Sequence, residues 1–356
     1  MDLYSDYLLS SFGQVTATGL SNVLDGSVSH DQITRMLSGH AYGSKDLWHE
    51  VKPLVRQYED DNACLIFDDT IVHKPYTDEN ELISWHWDHS KGANVKGINL
   101  LTAFYHTESP ASSEALRVPV AFECVKKTVT VLDKKSGKEK RQSPVTKNEM
   151  MRSMVKQAID NQHITFRYVL ADSWFSSSDN MLFIHKMKKY FVMDMKSNRL
   201  CMFHTQDRNK GRWTSLDKLP LQPETPIKVW IKDLKIPVLV CKFVFTNKDG
   251  STGVMYLVSN DLELSAEKFK ALYQKRWSVE EYHKSLKQNA SLEKSPTRRV
   301  TTQMSHLFAS LLAYVKLERL KFIHNMNHFA LKSKIYFAAN KVAWQELNQL
   351  KKWEGA

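Results

Sequence analysis

The stretch Tyr273-Gln274-Lys275-Arg276-Trp277-Ser278-Val279-Glu280-Glu281-Tyr282-His283-Lys284-Ser285-Leu286-Lys287 decides how this chain is read. Its pattern is Y-x2-R-x3-E-x6-K. On a helix, steps of three, four and seven bring Tyr273, Arg276, Glu280 and Lys287 to one face. A tyrosine, an arginine, a carboxylate and a lysine make a poor core stripe. They suit a place where a metal ion and a phosphodiester backbone meet, the carboxylate holding metal and the cations holding phosphate. The alternative is a salt-bridged helix face, since Arg276 and Glu280 form an i,i+4 pair. Spacing selects Glu280 over Glu281, which lies about 100° round the helix.

Working outward, two acidic sites stand upstream at the ends of hydrophobic runs. Ala63-Cys64-Leu65-Ile66-Phe67 reads as a short buried strand ending in Asp68-Asp69-Thr70, and Tyr168-Val169-Leu170-Ala171 as another ending in Asp172-Ser173. Strand alternation sends Asp68 and Asp69 to opposite faces, so one of the two is the expected ligand. A turn aspartate on the first strand, a helix N-cap at Asp172 and an ordinary exposed helix glutamate at Glu280 are the bland readings.

The four-position pattern, with Trp277, Glu281 and His283-Lys284 beside it, resembles the YREK signature of bacterial cut-and-paste insertion-sequence transposases of the DDE class. The resemblance is strong over about 60–290 and weak over 1–60 and 325–356. It implies an α/β fold: a ribonuclease-H-like catalytic core (61–196 and 263–325) with a mainly β insertion (197–262). Helical segments are expected at 1–60, with a possible DNA-binding role, and at 326–356. It implies Asp69, Asp172 and Glu280 as the catalytic, metal-holding triad, Asp69 being chosen because it precedes Thr70. It further implies two Mg²⁺ ions, with Mn²⁺ able to substitute, and Tyr273, Arg276 and Lys287 as phosphate contacts. The partners would be double-stranded DNA, as element ends and target, and a second copy in a homodimer on the synapse. The reaction would be cleavage at the ends and 3′-OH strand transfer. Rival expectations are a structure-selective nuclease on the same fold and a non-catalytic, domesticated DNA-binding protein.

Charge agrees with a polyanionic partner. The net charge is +11. Residues 266–356 hold 17 Lys/Arg against 7 Asp/Glu, whereas residues 1–70 hold 4 against 11. A basic C-terminal quarter is an electrostatic footprint for nucleic acid. The acidic first segment speaks against strong backbone binding there, and a helical cap on the core is the equal alternative. Residues 126–147 read as a lysine-rich hairpin or loop in which Lys134, Lys135 and Lys138 either touch DNA or are simply solvated.

The remaining features set bounds. Cys64, Cys124, Cys201 and Cys241 are scattered without a CxxC pair, fitting free thiols in a reducing cytosol. No apolar run approaches the roughly 18 residues of a membrane span, and Met1–Asp6 does not open a secretory signal, so a cytoplasmic, nucleoid-associated protein is expected. Ser265–Asn289 is expected as one long helix. Trp85-His86-Trp87-Asp88-His89 reads as a tryptophan-packed loop rather than a metal site. Trp213 or Trp230 could stack on a displaced base, although core packing is the favoured reading for both.

Overall fold

A computed structural model describes residues 1–108, 114–132, 137–203, 211–247 and 249–353. Its centre is one mixed sheet ordered β10-β9-β11-β12-β13-β8-β7-β1-β3-β2, with β4 also on β3. The strands nearest the site are β1 (Cys64–His73), β2 (Ser84–Asp88), β3 (Ala93–Thr107), β4 (Leu116–Cys124), β7 (Tyr168–Ala171) and β8 (Tyr190–Asp194). β1 runs antiparallel to β3 and parallel to β7, which runs parallel to β8. Central strands covered on both faces need continuous apolar side chains, and Cys64 to Phe67 and Val169 to Ala171 are fully buried.

The first strand is longer than its sequence suggests. Asp68 and Asp69 lie within β1, because antiparallel pairing with β3 carries the strand on to His73, opposite Gly97. What ends near the aspartates is the parallel pairing with β7, whose last matched residues are Phe67 and Ala171.

The described residues of 197–262 include five strands and one short 3₁₀ turn. Strands β9 (Leu200–Met202), β10 (Thr214–Ser215), β11 (Ile227–Ile231), β12 (Pro237–Thr246) and β13 (Thr252–Ser259) continue the central sheet through pairing of β13 with β8. The lysine-rich segment contains a separate hairpin, β5 (Val129–Leu132) with β6 (Glu139–Gln142).

Helices α1 (Asp2–Ser10), α2 (Ala17–Val23), α3 (His30–Gly39) and α4 (Ser44–Tyr58) open the chain. Ser29 caps α3 reciprocally with Gln32, one satisfying the other's free backbone N–H. Leu8, Leu37, Leu47, Val51 and Val55 from this segment enter the common core. α5 (Lys147–Asp160) and α6 (Ser178–Lys186) flank β7 in sequence. Then come α7 (Ala266–Arg276), α8 (Ser278–Gln288), α9 (Val300–His324) and α10 (His328–Trp353). α9 is buried along most of its length, with mostly apolar residues from Leu307 to Leu317 and buried polar residues such as His306, Ser310 and Glu318. Among the described residues no helix is long and apolar enough to cross a membrane.

Candidate active site

The expected single helix over Ser265–Asn289 is two helices, broken at Trp277. The Trp277 N–H reaches Gln274 O at 3.0 Å, a tight i−3 step, and the Ser278 hydroxyl donates to Lys275 O at 2.6 Å. A serine drawing on a helical carbonyl and a short 3₁₀ step both bend a helix. Tyr273 and Arg276 therefore end α7, while Glu280 and Lys287 belong to α8. The Arg276–Glu280 contact survives the break at 3.0 Å. Glu281 points elsewhere, to Arg117 at 3.0 Å.

Parallel pairing sets the carboxylates. With Phe67 beside Ala171 and Ala171 beside Met193, the next residue of each strand is an aspartate: Asp68, Asp172 and Asp194. Three neighbouring strands thus deliver a row of carboxylates at the same level of the sheet. Burial, reinforced by the Asp69 and Asp172 carboxylates, pushes Asp68 up to about 7, although Arg276 opposes the shift. Burial, with Asp172 adding repulsion, pushes Asp194 up to about 6. Arg276 is only 7% exposed; its guanidinium lies 3.7 Å from Asp68 and 3.0 Å from Glu280. Tyr273 is buried beneath it, the guanidinium 5.3 Å from the ring centre.

Asp69 has its own partners. Lys147, at the start of α5, meets Asp69 Oδ1 at 2.6 Å, and the Asn99 amide donates to Oδ2 at 2.6 Å. Lys287 donates to Ile71 O at 2.9 Å and pairs with Glu293 at 3.3 Å. Burial, with Lys287 and Arg276 nearby, pushes the His283 imidazole down to about 3, so it is neutral at physiological pH.

Asp172 does not cap the following helix; Ser177 does, and Asp172 instead accepts the N–H of Trp174 at 3.0 Å. Asp68, Asp69, Asp172, Glu280 and Lys287 share the wall of a cleft of about 840 Å³ with Asn99, Lys127, Lys140, Lys147, Trp85, Trp87, His89 and Trp174. Tyr273 and Arg276 lie behind that wall.

Carboxylate and amide oxygens are the donors a hard divalent cation takes. The Asn99 side-chain oxygen is buried without a hydrogen-bond partner beside Asp69, and Asp68 is crowded by like charge, so the donor set fits such an ion in chemistry. In this arrangement Lys147 and Arg276 neutralise the carboxylates. Among the described residues no three His, Cys, Asp or Glu side chains stand close enough together to hold a metal.

Lys138, Trp213 and Trp230 do not line the cleft. Lys138 is exposed beside β6, and Lys134 and Lys135 lie outside the described residues. Trp213 precedes β10 and Trp230 sits in β11 opposite Met202 and Pro237; neither lines the cleft. Trp85-His86-Trp87-Asp88 is no loop. It is edge strand β2, with His86 buried and both tryptophans exposed, the alternation of a one-sided strand. That alternation was readable in the sequence. Asp194 was not, because its place follows from the β7–β8 register alone.

No curated protein matches the chain. Among solved structures, a Drosophila P element transposase strand transfer complex aligns at a TM-score of 0.28 and 10% identity, over 53% of this chain and 36% of that one. A likeness that slight bears on neither fold nor function. The family model described as the transposase DDE domain matches residues 121–316, which include Asp172 and the whole Tyr273–Lys287 motif. That match spans more than half of the chain, and the protein belongs to the transposase DDE domain family.

Proposed function

We propose that the protein is a bacterial insertion-sequence transposase of the YREK group, which cuts DNA at element ends and joins the freed 3′-OH to target DNA. The observation that carries this reading is the convergence of carboxylates from β1, the end of β7 and α8 on one lysine-lined cleft. The sheet order β4-β3-β1-β7-β8, antiparallel up to β1 and parallel beyond it, supports a ribonuclease-H-like core.

Asp172 and Glu280 act with the aspartate pair of β1. Sequence favours Asp69, before Thr70. The register favours Asp68, which is level with Asp172 and shares Arg276 with Glu280. We therefore assign Asp68, Asp172 and Glu280 as the primary set and Asp69 as the second wall, held by Lys147 and Asn99. Two Mg²⁺ ions, or Mn²⁺, would be held by these oxygens and would supply activation of the attacking oxygen and neutralisation of the leaving one. The chain's own residues do the rest. Arg276 orients Asp68 and Glu280 from behind. Lys127, Lys140, Lys147 and Lys287 offer charge to the DNA backbone from the cleft wall. Binding two ends implies a homodimer, and a bacterial element implies the cytoplasm as its place of action.

The test is Mg²⁺-dependent cleavage of duplexes carrying the element's own ends. Asp68→Asn, Asp172→Asn and Glu280→Gln should each lose at least about 100-fold in rate while binding DNA as the parent does. Normal cutting by Asp172→Asn or Glu280→Gln sinks the reading. Normal cutting by Asp68→Asn with loss in Asp69→Asn returns the assignment to Asp69.

A further inference from the structure

The motif is anchored from outside itself at the point where its helix breaks. His106, near the end of β3, is 3% exposed, and its Nδ1 lies 3.2 Å from the hydroxyl of Ser278, the first residue of α8. Ser278 gives its single proton to Lys275 O, which can only accept. The Ser278 oxygen therefore takes the Nδ1–H of His106. Burial, with Arg117, Lys275 and Lys321 nearby, pushes that imidazole down to about 3, so it is neutral and carries one proton. The result is a chain of three groups, His106 N–H to Ser278 O–H to Lys275 C=O, in which each bond polarises the next. Two further contacts join β3 to the same stretch. Glu108, just past the strand, meets the Lys275 ammonium at 3.0 Å, and Phe104 stacks on the buried Tyr282 with ring centres 4.5 Å apart.

The anchor shares a frame with the aspartates. His106 pairs with Cys64 of β1, and Thr102 pairs with Asp68 on the same strand. Cys64 in turn is level with Tyr168 of β7, the strand that leads into Asp172. β3 is held between β1 and β4 along this length, so strand register fixes the His106 level relative to the carboxylate level. Glu280 has no place in that sheet. It lies on α8, two residues past Ser278, and its half-exposed side chain pairs with Arg276, which is itself on a helix. Whatever fixes the start of α8 relative to β3 therefore fixes Glu280 relative to Asp68 and Asp172. His106 and Ser278 do not line the cleft, so they act on it by position.

Resting on the transposase reading, we propose that His106 is a positioning residue for DNA cleavage. Its Nδ1–H holds Ser278, and through it the start of α8, in the place that lets Glu280 act with Asp68 and Asp172. Oxygen ligands of a hard cation work only when held within about 0.5 Å of the productive geometry. A misplacement of about 1 Å costs on the order of 100-fold in rate. A bond lost at the back of α8 is thus felt at its front.

Packing and positioning make opposite forecasts for two substitutions. His106→Phe keeps the volume of the ring, drops the N–H and removes Nε2, a buried atom with no hydrogen-bond partner among the described residues, so the fold should keep its stability. His106→Asn shrinks the side chain, which costs stability, yet its amide nitrogen is as many bonds from the backbone as Nδ1 and can donate to Ser278. The full chain is compared by thermal melting, by Mn²⁺ affinity from the paramagnetic resonance of the free ion, and by single-turnover cutting of element ends at saturating protein. His106→Phe should melt above His106→Asn, yet bind Mn²⁺ roughly 10-fold more weakly and cut about 10- to 100-fold more slowly at unchanged affinity for DNA. His106→Asn should stay within about threefold of the parent in both Mn²⁺ affinity and rate. Ser278→Ala removes the acceptor; it should behave as the phenylalanine variant and stands in for it if that variant does not fold. Parental cutting and Mn²⁺ binding by His106→Phe or by Ser278→Ala overturns the anchor, as does a series in which rate simply follows melting temperature. If the parent binds Mn²⁺ but cuts no element end, the transposase reading falls and the Mn²⁺ affinities decide the anchor by themselves.

Discussion

Asp68→Asn should stabilise this protein at pH 8, although it deletes a residue at the heart of the site. Burial and two neighbouring carboxylates raise Asp68 from 3.8 to about 7 in the folded chain. In the unfolded chain the group keeps its ordinary value. Below about pH 3.8 it is protonated in both states and contributes no pH dependence. Between there and about pH 7 the folded state binds more protons, so stability falls as pH rises; above 7 the loss is complete. At about 1.4 kcal/mol per unit, three units amount to ~4 kcal/mol, an upper bound that already includes the attraction of Arg276. The side chain is 19% exposed, so solvent relieves part of the strain and a gain of ~1–3 kcal/mol is the working expectation. Asparagine keeps the shape and drops the charge, while Arg276 retains Glu280. The assay is urea unfolding of parent and variant in EDTA from pH 4 to pH 8. The two curves should nearly coincide at pH 4 and separate steadily towards pH 8, the variant being the more stable. A variant that is less stable at pH 8, or a difference that does not change with pH, would refute the reasoning.

Other outcomes follow from the same contacts. Lys287→Ala should weaken binding to element ends and lower the salt slope by about one, because its ammonium borders the cleft; an unmoved slope would leave it a purely structural tie to Ile71 and Glu293. Arg276→Met should leave the salt slope unchanged, since the guanidinium is buried, yet destabilise the protein by ~3–5 kcal/mol at pH 8 and by less at pH 5, where Asp68 can take a proton; a thermal melt series in pH checks this. Changing Lys134, Lys135 and Lys138 together to Ala should reduce affinity for DNA of any sequence without altering metal dependence, and equal binding across a salt titration would retire the hairpin as a contact. Gly97→Ala should cost ~1–3 kcal/mol in urea unfolding, because a Cβ there would meet Val72 O at 2.3 Å; parental stability would mean that β3 moves away from β1 without penalty.

Much of the fold is legible in the chain because local pattern and global fold agree. β7 lies where its apolar run Tyr168–Ala171 places it, and Thr146 and Glu149 form a capping box at the start of α5. What escapes a linear reading is whatever another strand or a side chain decides. β1 outruns its apolar segment because β3 continues to pair with it. The motif helix breaks at Trp277, where the Trp277 N–H turns to Gln274 O and the Ser278 hydroxyl takes the Lys275 carbonyl, a local rearrangement that the spacing of the motif does not show.

The site divides along the same line. Which residues gather is written in the sequence: Asp69, Asp172, Glu280 and Lys287 all reach one cleft. How they pair is not. Counting residues along the motif treats Tyr273 and Arg276 as a face open to phosphate, whereas packing buries both and turns the arginine onto carboxylates. The choice between Asp68 and Asp69 is harder still, since adjacent residues of one strand differ only in which neighbours the register gives them. Asp68 receives Asp172 and Arg276; Asp69 receives Lys147 and Asn99. One aspartate is left electrostatically strained and the other satisfied. Strain of that kind persists where a fold is organised around something other than its own stability, and that asymmetry is the physical reason to look to Asp68 first.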